Sequence, residues 1–72
     1  MKKKILLENF NEIKQVKQIS TILLGLPEIE DLEADLDDNS ITLSLNNFTS
    51  NEMIKYFIKS ANFNVVDIID ME

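Results

Sequence analysis

The residue types that most often carry chemistry in small domains are missing from this chain. Its 72 residues include no Cys, no His and a single Gly. Neither a Ser-His nor a Cys-His pair can therefore form, and one Gly does not build a phosphate-binding loop. The carboxylates that remain are concentrated on a predicted exposed hairpin, where burial would not tune one of them as a general acid. We therefore expect a protein without enzymatic activity.

Carboxylates are the remaining candidate ligands, and most of them crowd one segment. Residues 29–38, IEDLEADLDD, contain Glu or Asp at six of ten positions. Such a run protects an edge strand by charge, and it also suits a basic partner or weak binding of a divalent ion. An EF-hand calcium loop is not indicated, because DLDDNS has no Gly at its sixth position and Asn46 occupies the twelfth.

The charge balance narrows the classes of partner. The seven basic residues are all Lys, and against thirteen acidic residues they leave a net charge of -6. This charge repels phosphate backbones, so nucleic acid is not expected as a partner. No apolar run is long enough for membrane insertion, and MKKK is followed by only a short apolar run before Glu8, so no secretory signal is predicted. Without Cys for disulfides, we expect a cytoplasmic protein.

The elements that must position these residues begin with a strand and a helix. Lys2 to Asn9 reads as a strand. Asn11 is the predicted N-cap of an amphipathic helix that ends near Gly25, with Pro27 just beyond. Its apolar face combines Val16, Ile19, Ile22, Leu23 and Leu26.

A hairpin, a second helix and a last strand follow. The acidic segment and SITLSL form two strands around the turn DDNS, with inward Leu32, Ala34, Leu36, Ile41, Leu43 and Leu45. Thr49 and Glu52 predict a capping box, and Asn62 a left-handed stop. Between them, one helix face holds Met53, Ile54, Phe57, Ile58 and Ala61. The strand NVVDII closes the chain, with Val65 and Val66 competing for the inward position.

This order, βαββαβ, predicts a single domain over residues 1–72. Two βαβ units with right-handed crossovers that share one sheet give an α+β ferredoxin-like sandwich. Its four-stranded antiparallel sheet would carry both helices on one face. The other face would be open to solvent or to a partner.

The chain resembles the heavy-metal-associated (HMA) domain family, found in small copper chaperones and in N-terminal modules of metal-pumping P-type ATPases. KKKILLENF is similar to the family's first strand, and residues 16–45 are similar to its helix, turn and hairpin. SNEMIKYFIKSANFNV is similar to its second helix, with Asn62 and Phe63 in place of the closing Gly-Tyr.

The chain departs from the family at the metal loop, Gly-Met-x-Cys-x-x-Cys, which falls on residues 9–15, NFNEIKQ. The resemblance places Glu12 and Gln15 at the two lost cysteine positions and Phe10 at the Met that plugs the core. Cu(I) needs thiolates, and zinc needs thiolate or imidazole. Tight binding of Cu(I) or Zn(II) is therefore not expected, and no cofactor is predicted.

The resemblance thus implies a degenerate, non-metal-binding HMA-like domain, accessory to metal transport, that contacts a protein partner or a second copy of itself. The predicted contact residues at the loop are Asn11, Glu12, Ile13, Lys14, Gln15 and Phe63. Tyr56 is predicted to point outward from the second helix as a further anchor. The open sheet face carrying Leu6 is an alternative surface.

Other interpretations stay open. The chain would instead be a metal or small-ligand binder if oxygen ligands of the acidic hairpin or the Glu12 loop were used, or it is the first domain of a longer protein. Glu12 also has a structural interpretation, because a carboxylate in the first turn of a helix stabilises it by about 0.3 to 1 kcal/mol. Phe10 and Phe63 either join Ile13 in an apolar patch or are buried in the core.

Overall fold

A computed structural model describes residues 1–46 and 49–71. The elements are β1 (Lys2–Leu7), α1 (Ile13–Leu23), β2 (Ile29–Asp35), β3 (Ser40–Leu45), α2 (Asn51–Ser60) and β4 (Val65–Asp70). The strands form one antiparallel sheet in the order β2-β3-β1-β4. The predicted ferredoxin-like α+β fold is confirmed. None of the helices in the described residues is long and apolar enough to cross a membrane.

The core lies between one face of the sheet and the two helices. Alternation in the central strands β1 and β3 places Ile5 and Leu7 beside Ile41 and Leu43 on this face. The other buried apolar side chains are Phe10, Ile19, Leu23, Ile29, Leu45, Ile54, Ile58, Ala61 and Phe63.

Three side chains predicted to face inward are exposed. Ala34 pairs with Ile41, but it lies on the edge strand β2, where coverage is incomplete. Ile22 and Met53 are exposed as well. The apolar stripes of both helices are therefore wider than the surfaces that they bury.

Each helix begins one residue later than predicted. The N-cap of α1 is Glu12, not Asn11, because Glu12 still has an extended backbone, with φ -124° and ψ 145°, while its carbonyl accepts from Gln15 N at 3.0 Å. The N-cap of α2 is Ser50, whose hydroxyl accepts from Met53 N at 3.2 Å. Thr49 is buried, so the predicted capping box of Thr49 and Glu52 is not the one that forms.

The ends of the helices are set by short-range conformations. α1 ends at Leu23, with Leu24 as its C-cap, two residues before Gly25. Asn62 has φ 67°, which confirms the predicted left-handed stop after α2. Asn9 and Asn39 adopt the same region, with φ of 56° and 53°. Asn is the residue other than Gly that enters this region most readily.

A β-bulge decides the register of β4. Asp67 pairs with Leu6 and Val65 with Leu7, so Val66 is an extra residue without a partner in β1. Val65 and Ile68 consequently both pack against the core although they are three residues apart. Strict alternation does not allow this spacing, which explains why the sequence alone left the register open.

Candidate contact surface at the β1–α1 loop

The candidate site is the segment Asn9 to Gln15, which leaves β1 and starts α1 and is called the β1–α1 surface below. Asn9 turns the chain in the left-handed conformation. By the resemblance given above, this position is the one expected to match the Gly of the metal loop. The turn is anchored on its β1 side by Glu8 N, which donates to Asn64 O at 2.9 Å.

Phe10 anchors the loop to the hydrophobic core. Its side chain is fully buried, and its ring meets Phe63 edge to face with the ring centres 5.7 Å apart. Its carbonyl accepts from Asn39 Nδ2 at 2.8 Å. Asn39 is tied in turn to β1, because Leu7 N donates to its carbonyl at 2.7 Å. The loop is therefore fixed to both the core and the hairpin turn.

The side-chain amide of Gln15 links the backbone groups of the loop to one another. Its Oε1 accepts from Asn11 N at 2.8 Å and from Glu12 N at 2.9 Å. Its Nε2 donates to Asn9 O at 2.8 Å. One amide thus satisfies backbone groups on three residues of the loop, including N–H groups at the start of α1 that lack helical partners.

The remaining side chains of the β1–α1 surface point into solvent. Asn11, Glu12, Ile13 and Lys14 are all exposed. Ile13 is 72% exposed, and Lys14 Nζ lies 3.9 Å from Glu12 Oε1. The arrangement is an exposed aliphatic side chain beside a mixed-charge pair, on a loop held by hydrogen bonds.

Two predicted contact residues lie elsewhere. Phe63 is only 8% exposed and Phe10 is fully buried, so of the two alternatives for these rings the structure has core burial, not an apolar surface patch with Ile13. Both Phe side chains belong to the core. Tyr56 is 71% exposed on α2, and its ring contacts Phe57 edge to face at 6.3 Å.

The acidic hairpin forms a second polar surface on the open face of the sheet. Glu33 and Asp35 pair with Thr42 and Ser40, so they lie on the face without helices. A shallow depression there is also bordered by Lys4, which forms an ion pair with Asp38. Across the described ranges, 1–46 and 49–71, no three acidic side chains converge as metal ligands would.

The hydrogen bond and charge of Asp38 raise the pKa of Lys4 above its ordinary value of 10.5, against an opposing effect of desolvation. The charge of Asp35 adds to the upward shift. The folded state therefore favours the charged form of Lys4 more than the unfolded state does.

Two residues that hold this architecture are not predicted by the local sequence pattern. The pattern places Asn39 in the hairpin turn, but its amide also binds the β1–α1 loop. Lys3 is 6% exposed, and its Nζ donates to Asn51 Oδ1 at 2.6 Å. Its alternation with Ile5 and Leu7 was the available signal for burial.

Comparisons with known proteins identify the fold. No protein-family model matches the chain, and neither does any curated protein. A solved structure from work on crosstalk between Cu(I) and Zn(II) homeostasis matches with a TM-score of 0.79 at 11% identity, over 90% of this chain and 94% of that one. At such low identity the similarity concerns the fold.

Two further structures give the same result. The yeast copper transporter domain Ccc2a, solved in apo and Cu(I)-loaded states, matches with a TM-score of 0.76 at 16% identity, over 92% of this chain and 94% of that one. A chain of the Atx1–Cu(I)–Ccc2a complex matches with a TM-score of 0.78 at 16% identity, over the same shares. The chain therefore has the fold of copper-handling domains.

Proposed function

We propose that this chain is a non-catalytic, cytoplasmic, HMA-like domain that has lost metal binding and acts by protein contact at the β1–α1 surface, as an accessory to metal transport. The observation that carries the proposal is the hydrogen bonding of Gln15. In the aligned motif this position belongs to the second cysteine. Its amide joins Asn9, Asn11 and Glu12 by three hydrogen bonds.

The chemistry of the side chains supports the loss of metal. A thiophilic ion needs anionic sulfur or imidazole, and the chain has neither Cys nor His. Glu12, at the first cysteine position, offers a hard oxygen ligand, and Gln15 Oε1 already accepts two backbone hydrogen bonds. An ion could enter the loop only by breaking the hydrogen bonds between the Gln15 amide and the backbone.

The surface of the loop supports protein contact. Ile13 is an exposed aliphatic group next to Glu12 and Lys14, which resembles an apolar anchor with a polar rim. The loop needs little ordering on binding, because Gln15, Asn39 and Phe10 already hold its backbone. One of the structural neighbours is a complex between two proteins, Atx1 and Ccc2a, with Cu(I).

Metal titration followed by native mass spectrometry tests the first half of the proposal. We expect no stoichiometric binding of Cu(I), Zn(II), Ca(II) or Mg(II) at micromolar concentration. The control is the double variant Glu12→Cys/Gln15→Cys, which we expect to bind one Cu(I) because it restores the motif's ligands. Stoichiometric binding by the unmodified chain would refute the loss of metal binding. A folded double variant that binds no Cu(I) would contradict the placement of the motif.

A pair of matched helix variants tests the second half. Ile13 and Ile22 are both exposed on α1. We expect Ile13→Glu to abolish association, either with itself in sedimentation or with partners recovered from the native cell, and Ile22→Glu to leave it unchanged. An equal effect of the two substitutions, or the absence of any association by the unmodified chain, would contradict the assigned surface.

A further inference from the structure

Within the described residues, the sheet has two free edges, one on β2 and one on β4. Each of these strands has one neighbour there, β3 and β1 respectively. A free edge presents unpaired backbone N–H and C=O groups to which another strand can add. β4 also exposes two apolar side chains, Val66 and Ile69, each followed directly by an aspartate, Asp67 and Asp70.

The hydrogen bonds of β4 show which of its N–H groups face outward. Met71 N donates to Lys2 O at 3.1 Å. Backbone groups alternate in direction along a strand, so the N–H groups of Ile69 and Asp67 also point toward β1, and the N–H of Ile68 points away from it. The outward N–H of Ile68 is not open, because it donates to Asp67 Oδ1 at 2.8 Å.

The opposite edge repeats this arrangement. Leu45 N donates to Met1 O, so by alternation the backbone N–H and C=O groups of Ser44 and Thr42 in β3 point toward β2. Their partners Asp31 and Glu33 face β3, and the N–H of Leu32 between them faces outward. That N–H donates to Asp31 Oδ1 at 2.9 Å.

We infer that Asp31 and Asp67 close the two edges of the sheet against strand addition by a second copy of this chain. Each carboxylate occupies one outward N–H near the middle of its edge strand, at Leu32 in β2 and at Ile68 in β4, so an incoming strand could not form an uninterrupted ladder of backbone bonds there. Register irregularities on both edge strands add to this protection, at Val66 of β4 and between Ile29 and Asp31 of β2. The inference is independent of the function proposed above.

Substitutions at Asp67 separate the hydrogen bond from the charge. Asp67→Ala removes both, whereas Asp67→Asn removes the charge and keeps an oxygen that accepts from Ile68 N. Asp37→Ala removes one exposed carboxylate from the hairpin turn and leaves both edges unchanged. Circular dichroism verifies that each variant is folded.

Sedimentation over a concentration series is the test. We expect Asp67→Ala to raise the weight-average mass toward twice that of the unmodified chain, while Asp67→Asn and Asp37→Ala match it. Hydrogen exchange followed by NMR gives a second measurement, in which Asp67→Ala speeds exchange of the Ile68 amide on the order of tenfold and Asp67→Asn does not. The inference is overturned if Asp67→Ala behaves like Asp37→Ala, or if Asp67→Asn associates as strongly as Asp67→Ala.

Discussion

At the scale of single residues, the side-chain amide of Gln15 explains how the β1–α1 loop keeps its shape. Two backbone N–H groups and one carbonyl must be satisfied, at Asn11, Glu12 and Asn9. An amide supplies both an acceptor and a donor, whereas a carboxylate supplies only acceptors. The length of Gln also lets one side chain reach from the first turn of α1 back to Asn9.

We expect Gln15→Ala to lower the free energy of unfolding by about 1 to 2 kcal/mol, because three hydrogen bonds to the backbone are lost. The loss is limited because the exposed backbone groups can bind water instead. Urea denaturation measures the change. Gln18→Ala, an exposed Gln on the same helix, is the control and should be nearly neutral. Equal losses in the two variants would contradict the role given to Gln15.

Glu12 has a smaller expected effect. It is the N-cap of α1 and places a carboxylate at the positive end of the helix dipole. We expect Glu12→Gln to lower the free energy of unfolding by about 0.3 to 1 kcal/mol, less than Gln15→Ala. Thermal unfolding at low salt tests this, and an unchanged or higher melting temperature would contradict it.

Lys3 is a buried cation that joins three elements. Its Nζ donates to Asn51 Oδ1 of α2 and lies 3.2 Å from Asp70 Oδ1 of β4. We expect Asn51→Ala to cost about 1.5 to 3 kcal/mol of unfolding free energy, as for a hydrogen bond to a charged group. In a Lys3→Met background the same substitution should cost much less. A double-mutant cycle by urea denaturation measures the difference, and equal costs in both backgrounds would rule out this bond as the cause.

At the scale of elements, carboxylates organise the β2–β3 hairpin turn. Asp35 Oδ1 accepts from Asp37 N at 3.1 Å and from Asp38 N at 3.2 Å. Asp38 then pairs with Lys4 of β1 on the open sheet face. A hairpin rich in like charges is thus linked by a cation to the central strand.

The ion pair between Lys4 and Asp38 predicts a pH dependence of the free energy of unfolding. Because the pKa of Lys4 is higher in the folded chain than its ordinary value of 10.5, folding favours the charged form. The stabilisation is complete below pH 10.5 and is lost as pH rises through the folded-state pKa. We expect Asp38→Asn to be less stable than the control Asp37→Asn at neutral pH.

The stabilities of Asp38→Asn and Asp37→Asn should become equal above the folded-state pKa of Lys4, since a neutral Lys4 no longer attracts the carboxylate. Thermal unfolding of both variants over a pH series measures this difference. A difference that stays constant into the alkaline range would contradict the assignment to Lys4.

At the scale of the whole molecule, a small core carries the fold. A chain of this length has an expected stability of roughly 3 to 5 kcal/mol. Phe10 is among the largest fully buried side chains, and it supports the loop as well as the core. Its loss therefore threatens the entire domain.

We expect Phe10→Ala to cost about 3 to 5 kcal/mol, which leaves the chain largely unfolded at room temperature. Phe10→Met should remain folded, because Met fills most of the same volume with a flexible side chain. Circular dichroism and the dispersion of amide NMR signals distinguish these outcomes. A well-folded Phe10→Ala variant would show that the loop and core do not depend on this side chain.

The sequence by itself determined the order of the elements and the fold class. Periods of two and of 3.6 residues are local properties, and right-handed crossovers leave few arrangements for two βαβ units. Asn62 was also predicted correctly, since its left-handed conformation depends mainly on its own short side chain. The absence of Cys and His is likewise a property of composition alone.

Tertiary structure decided what depends on distant neighbours. Thr49 and Ser50 are both good N-caps, and the structure buries the first and leaves the second as the cap. Packing against Phe10 takes Phe63 from the predicted contact surface into the core. Burial, β-bulges and long-range hydrogen bonds depend on which segments meet in three dimensions, so no local pattern encodes them.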